Sequence, residues 1–358
     1  MSKKRVAVVG ATGIAGQQFL AALPNHPDFE VVLLAASSRS AGKKYLEALQ
    51  EPSGSIGWWS DDELNETYAG MTVQDASTFD PREVDLVFNA IESDAAKELE
   101  PKYAVTTPVV STASAFRYFE DTPMIIPGVN NDHVSLLKRQ QEERGWKGFV
   151  TPIPNCTTTG LVSSLAPIYK HLGVERLVMT SMQAMSGAGR RGGVLGLDAL
   201  DNVIPYIPGE EEKVQKEAQK ILGNVVDGKI VQAGFALSAT CTRVAVLDAH
   251  TEAIYAATTK AATTEEVAEL MRNYDTGLQG LPTEPKPFIK VHDDPFRPQP
   301  RRDRNNGDGM TTSVGRLRAE NVIGENGIKY VAVSHNTKAG AAKGAILVAE
   351  LLQREGWL

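Results

Sequence analysis

Short apolar runs alternate with longer amphipathic stretches through the first 150 residues of this 358-residue chain. Residues 5–9 form a β-branched run suited to a parallel strand covered on both faces. It ends in Gly10-Ala-Thr-Gly13-Ile-Ala-Gly16, followed by QQFLAALPNH with helical spacing. Residues 29–36 (FEVVLLAA), 85–90 (DLVFNA) and 108–111 (PVVS) repeat the strand pattern, and the alanine- and charge-rich 94–103 predicts a helix before the last of them. Residues 133–143 predict a further helix that carries the chain onward.

From Gly148 the pattern changes. Residues 176–181 and 242–247 alternate as strands of an open mixed or antiparallel sheet. Before the first of them, TPIPNCTTTG (151–160) leads into the apolar LVSSLAPIYKHL, and between the two IPYIPGEEEK leads into a helix through Ile221. Residues 263–273 predict a helix, the proline-rich 282–300 irregular structure, and 310–317 and 329–333 two strands. A terminal helix, 345–355, is expected to return to the first domain. The fold class read from this is α/β, with a Rossmann-type dinucleotide-binding domain at 1–150. A second, α+β domain with a mixed, largely antiparallel sheet is expected at 151–334, and the returning helix at 335–358.

The length favours two domains, and 42% hydrophobic with 23% charged residues is a globular composition. A net charge of −7 argues against nucleic acid or an anionic membrane as the main partner. Two cysteines, Cys156 and Cys241, make no disulfide framework, and no paired-histidine spacing points to a metal. Without a signal-peptide pattern or a membrane-length apolar run, the expected compartment is the cytosol.

Candidate chemistry sits where the predicted strands end. The glycine turn at 10–16 suits a dinucleotide phosphate, although its GxxGxxG spacing also occurs in turns without a ligand. An NAD site would carry an acidic residue at the end of the second strand; here Ser37-Ser38-Arg39-Ser40 suit a 2′-phosphate, which predicts NADP. Cys156 falls where a helix N-terminus would favour a thiolate, against the alternative of a buried structural thiol. Arg117 lies in a strand-end loop as a candidate anion clamp. Gln183 opens the loop Met182–Gly193, and Glu210, Glu211 and Glu212 could equally be first-turn acids serving a helix dipole. Arg243 shares a strand face with Cys241, and His250 is placed beyond that strand's end, facing a cleft.

Taken in order, GATGIAG, SSRSAGK, SAFR, PNCTTTG, MQAMSGAG, EEEK, CTRVAVLDAH, GRLR and HNTKAGAAKGA resemble the aspartate-semialdehyde dehydrogenases over the whole chain, in their archaeal and fungal branch. The resemblance implies reversible, NADP-dependent conversion of aspartyl phosphate to aspartate semialdehyde and phosphate, a step in lysine, methionine and threonine biosynthesis, through a cysteine thioester. It implies Cys156 as nucleophile, His250 as general acid/base and Gln183 as the orienting amide. Arg243 would hold the substrate carboxylate, Glu210 and Lys213 its amino group and the phosphate, and Arg117 the phosphate, with Asn155 beside the nucleophile. Gly10, Thr12, Gly13, Ile14, Ser37, Ser38, Arg39, Ser40, Ser186, Gly187 and Asn336 would contact the cofactor. The chain is expected to be a homodimer or homotetramer joined through the second domain's sheet. The hemithioacetal alkoxide is expected to rest on backbone N–H groups at the helix start. The chain departs from the family pattern at Thr112, Ala245 and Ala249, which stand where Asn, Pro and Gly are usual. A related acyl-phosphate or acyl-CoA reductase, such as a malonyl-CoA reductase, is the alternative; it has no need of an ammonium-binding Glu210 and Lys213. A non-catalytic NADP-binding protein on the same fold is a second one.

Replacing Arg39 with Asp should raise KM for NADP by roughly 10-fold or more, the worth of a charge-assisted hydrogen bond, and leave KM for NAD nearly unchanged. Equal effects on both cofactors would remove the assignment.

Overall fold

The computed structural model describes residues 2–188 and 196–358, so Gly189, Arg190, Arg191, Gly192 and Gly193 of the glycine loop lie outside the described residues. The chain forms two compact units. One comprises residues 1–125, 132–153 and 341–358; the other comprises 126–131 and 154–340.

The first unit is built on a parallel sheet of six strands: β1 (Lys4–Val9), β2 (Phe29–Ala36), β3 (Val73–Asp75), β4 (Leu86–Asn89), β5 (Val109–Ser111) and β6 (Val150–Pro152), in the order β3-β2-β1-β4-β5-β6. Order reverses beside β1, the switch point at which such sheets leave a crevice for a ligand. The central strands are buried on both faces, which is why they read as unbroken apolar runs. The first helix, Ile14–Ala22, begins within the glycine turn and ends just before Pro24. Gly10 has φ +82°, and a Cβ there would lie 2.6 Å from the Ala90 carbonyl oxygen; one on Gly16 would lie 2.2 Å from that of Gly10. Both glycines are therefore required by the turn and by the helix that packs on it. The terminal helix, Ala342–Arg354, buries one broad face and packs against Ile14–Ala22.

The second unit carries a seven-stranded mixed sheet in the order β13-β14-β15-β12-β7-β11-β8. Its strands are β7 (Val174–Gln183), β8 (Val203–Ile204), β11 (Ala236–Val244), β12 (His250–Thr258), β13 (Ile289–His292), β14 (Thr312–Glu320) and β15 (Gly327–Ser334); β9 (Asn224–Val226) and β10 (Lys229–Val231) form a separate hairpin. β7 and β11 run parallel, as do β13 and β14, and the other pairs are antiparallel. Two sequence expectations need correction. The strand read at 242–247 runs from 236 and ends at Val244, because the chain turns at 245–249. His250 lies beyond the end of β11, where it opens β12 on that strand's buried face. The 282–300 segment, read as irregular, holds the short β13.

The helix Cys156–Leu172 lies among strands of this sheet and the helix Glu210–Ile221, and is buried on nearly every side. Its small residues, TTTG and SS, are what permit that close contact. Among the described residues no helix is long and apolar enough to cross a membrane, and no three His, Cys, Asp or Glu side chains gather to hold a metal ion.

Ala249, just before β12, is fully buried at φ +78°, a conformation that costs a residue with a Cβ about 1–2 kcal/mol. Ala249→Gly should therefore stabilise the protein by about 1 kcal/mol and raise Tm by roughly 2–4 °C in a thermal melt. An unchanged or lower Tm would show that the backbone there carries no strain.

Candidate active site

Cys156 is the first residue of its helix, as its sequence context predicts. Asn155 caps that helix: its side-chain oxygen accepts from the Thr157 N–H at 2.9 Å and the Thr158 N–H at 3.2 Å. These two N–H groups are thereby engaged by the cap. The cap is itself held. The Asn155 N–H donates to the Glu217 carboxylate at 2.6 Å, and its side-chain amide donates to Glu210 at 2.8 Å. The same Glu210 oxygen accepts from Gln183 at 3.3 Å and the Thr157 hydroxyl at 3.4 Å, while Lys213 lies 3.4 Å from the other oxygen. Glu210 is thus no simple dipole cap, and neither is Glu211, which accepts from the Cys241 N–H at 3.0 Å.

His250 is fully buried with its Nε2 3.1 Å from the Cys156 sulfur. Its Nδ1 accepts from the Ala184 N–H at 3.1 Å. Burial, then the nearby Arg243 and His335, push its pKa down to about 3, so the ring is neutral at physiological pH. Arg243 is buried on β11 and donates to the Ala184 carbonyl at 2.7 Å. Its Nε is buried without a hydrogen-bond partner among the described residues, a geometry suited to receive a carboxylate. Gly187 passes so close that a Cβ would lie 3.0 Å from the Arg243 guanidinium and 3.2 Å from the imidazole. Asn336 accepts from the Ala249 N–H and donates to the Ser186 hydroxyl, each at 2.8 Å, fastening the strand entry to that loop.

The second unit therefore gathers Asn155, Cys156, Gln183, Ser186, Gly187, Glu210, Lys213, Arg243, His250 and Asn336. The first unit holds Gly10, Thr12, Gly13 and Ile14 at its turn, Ser37, Ser38 and Arg39 exposed beyond β2 with Ser40 half-buried, and Arg117 buried in the loop after β5, where it donates to the Thr112 carbonyl at 3.0 Å. In that unit Glu100 is fully buried and holds Asn89 and Ser111 at the ends of β4 and β5; burial raises its pKa to about 7. Cys241 is the buried thiol of the pair, its pKa pushed up to about 12 by burial.

Two contributors, Glu217 and the Ala184 N–H, escaped the sequence reading. Glu217 left one usable sign, its seven-residue spacing from Glu210, which places both carboxylates on one helix face. Glu252 lies on the strand of His250, fully buried, and burial raises its pKa well above the ordinary range. The Ala184 N–H leaves no mark in sequence at all.

A semialdehyde dehydrogenase NAD-binding domain model matches residues 5–137, and a semialdehyde dehydrogenase dimerisation domain model matches 165–338. The aspartate-semialdehyde dehydrogenase of Methanothermobacter thermautotrophicus is 42% identical over 350 residues, 97% of this chain and 98% of that one. The Candida albicans enzyme of the same name is 40% identical over 99% of both chains. A crystal structure of the Candida albicans enzyme with NADP superposes with a TM-score of 0.87 at 38% identity, covering 99% of this chain and all of the other. On this evidence the chain belongs to the aspartate-semialdehyde dehydrogenase family, the family that its ordered motifs resemble.

Proposed function

We propose that this chain interconverts L-aspartate 4-semialdehyde plus phosphate with L-4-aspartyl phosphate, using NADP. The observation that carries the reading is a cysteine at a helix N-terminus whose sulfur lies 3.1 Å from a buried imidazole, beside a buried arginine with an unpartnered Nε. The Cys156 thiolate adds to the aldehyde carbon and gives a hemithioacetal, which is oxidised to a thioester. Arg243 clamps the substrate's α-carboxylate, the partner that its buried Nε lacks. Glu210 meets the substrate ammonium, in keeping with its place among Asn155, Gln183 and Lys213. Gln183 steers the carbonyl. Phosphate, bound by Lys213 and Arg117, attacks the thioester, and His250 serves the charge that comes and goes at the reacting carbon.

NADP supplies the hydride acceptor and donor. The residues fit it. The glycine turn opens the helix Ile14–Ala22 at the sheet's switch point, where a dinucleotide phosphate is held, and the exposed Ser37, Ser38 and Arg39 beyond β2, with no acidic residue among them, suit a 2′-phosphate. Thr12, Gly13, Ile14, Ser40, Ser186, Gly187 and Asn336 complete the proposed cofactor contacts. The division into residues 1–150, 151–334 and 335–358 is proposed as cofactor domain, catalytic and dimerisation domain, and returning helix. A cytosolic location follows from the same reading.

A second copy of the chain is proposed to cover the sheet of the second unit. Val178, Thr180, Ser238 and Thr240 expose an uncharged stripe across the paired β7 and β11. The dimerisation model spans these strands. Such a face is the usual seat of a symmetric contact.

Cys156→Ser should lose at least about 1000-fold in phosphate-dependent NADPH formation from aspartate semialdehyde while still binding NADP, since a neutral hydroxyl replaces the nucleophilic thiolate. Surviving turnover would refute the thioester, and wild-type activity with malonyl-CoA in place of aspartate semialdehyde would favour the reductase alternative. Val178→Glu should shift the sedimenting species toward monomer, because it sets a charge in each copy against an uncharged face. An unchanged oligomer would move the contact elsewhere.

A further inference from the structure

Arg117 lies in a loop, and a binding group on a loop is placed only as well as the loop itself. Residues 111–122 are tied down on two sides. On the first side the helix Ser93–Ala104 holds residues 111–114. Glu100 accepts from the Ser111 hydroxyl, and that hydroxyl accepts from the Ala113 N–H at 3.0 Å. The Ser93 hydroxyl lies 2.7 Å from that of Ser114 and accepts from the Ser114 N–H at 3.1 Å. Arg117 folds back onto this half, its guanidinium donating to the Thr112 carbonyl at 3.0 Å and its N–H to that of Ser114 at 3.2 Å. On the second side stands Arg144, the last residue of the helix Leu136–Arg144. Its guanidinium carbon lies 5.3 Å from the ring centre of Phe116, 4.9 Å from that of Phe119 and 5.0 Å from that of Trp146. The same group donates to both oxygens of Asp121, through Nε to one and through Nη2 to the other at 2.9 Å.

One flat cation thus meets residues 116, 119 and 121, the far half of the loop. Phe116, next to Arg117 in the chain, is buried in the core of the first unit with Trp146 packed against it. The arrangement requires arginine. A guanidinium offers a plane that rings can stack on and a fork that matches a carboxylate, and an ammonium offers neither. Apolar side chains of the same volume would fill the space without the cost of withdrawing charges from water. They would not fix a direction. We propose that Arg144 is a positioning residue for the phosphate site: gripped by Asp121 and stacked against Phe116, Phe119 and Trp146, it holds the loop that aims Arg117. This rests on the reading of Arg117 as a phosphate ligand. Arg144 itself does not touch the phosphate; its Nε and Nη2 are committed to Asp121.

The test reads the KM for phosphate during oxidation of aspartate semialdehyde. Arg144→Lys keeps the charge and loses the plane and the fork. It should raise that KM about 10-fold or more, while kcat at saturating phosphate and the KM values for NADP and aspartate semialdehyde stay within about 2-fold of wild type. A merely structural role would instead move all of these together. Phe119→Leu removes one exposed ring and leaves the core intact, so it serves should Arg144→Lys fail to fold. It should raise the phosphate KM in the same direction by a smaller factor, about 3-fold. An unchanged phosphate KM in a folded variant overturns the proposal, as does an equal rise for all three substrates. Arg117→Ala separates this inference from the reading beneath it. If Arg117→Ala raises the phosphate KM and Arg144→Lys does not, Arg117 stands and the role of Arg144 falls. If Arg117→Ala leaves the phosphate KM unchanged, both fall.

Discussion

Everything in the second unit's site hangs on the capping of one helix. Asn155 uses its side-chain oxygen to close the first turn of Cys156–Leu172, and its amide and backbone N–H to reach the carboxylates of Glu210 and Glu217. A cap of this kind contributes about 1 kcal/mol to a helix. Here it also fixes the place of the next residue, the cysteine. The helix cannot slide or rotate without breaking bonds to a second helix, so the sulfur stays opposite the imidazole.

The electrostatics follow from burial. Charges withdrawn from water must be paired or suppressed. Glu210 is paired, with Lys213 at one oxygen and amide donors at the other. His250 and Glu252 are suppressed, the first held neutral by burial and by Arg243, the second driven toward its protonated form by burial. Arg243 remains a buried cation whose Nε has no hydrogen-bond partner among the described residues. A buried guanidinium of this kind favours a ligand that brings its own negative charge, as a carboxylate or phosphoryl substrate does.

In the first unit the same logic works through the backbone. The parallel sheet is covered on both faces, so its polar residues sit at the strand ends. Glu100, on the helix Ser93–Ala104, is buried against the ends of β4 and β5. By holding Asn89 and Ser111 it organises the loop in which Arg117 lies, since the Ser111 hydroxyl in turn accepts from the Ala113 N–H at 3.0 Å.

Local chemistry was legible in the order of residues. The strand, glycine turn and helix at the start follow from β-branched packing and from the freedom of Gly10. The place of Cys156 at a helix start follows from Asn155 and the small residues after it. The chemical identities of Gln183, Arg243 and His250 marked them as well. Tertiary structure alone decided what these groups do to one another. Neither the pairing of His250 into β12 nor the closure of Glu217 on Asn155 is written in any window of sequence, because both depend on partners more than 60 residues away. The imidazole's backbone partner is the clearest case: a backbone N–H has the same chemistry at every residue but proline, and only the path of the chain aims one of them at Nδ1.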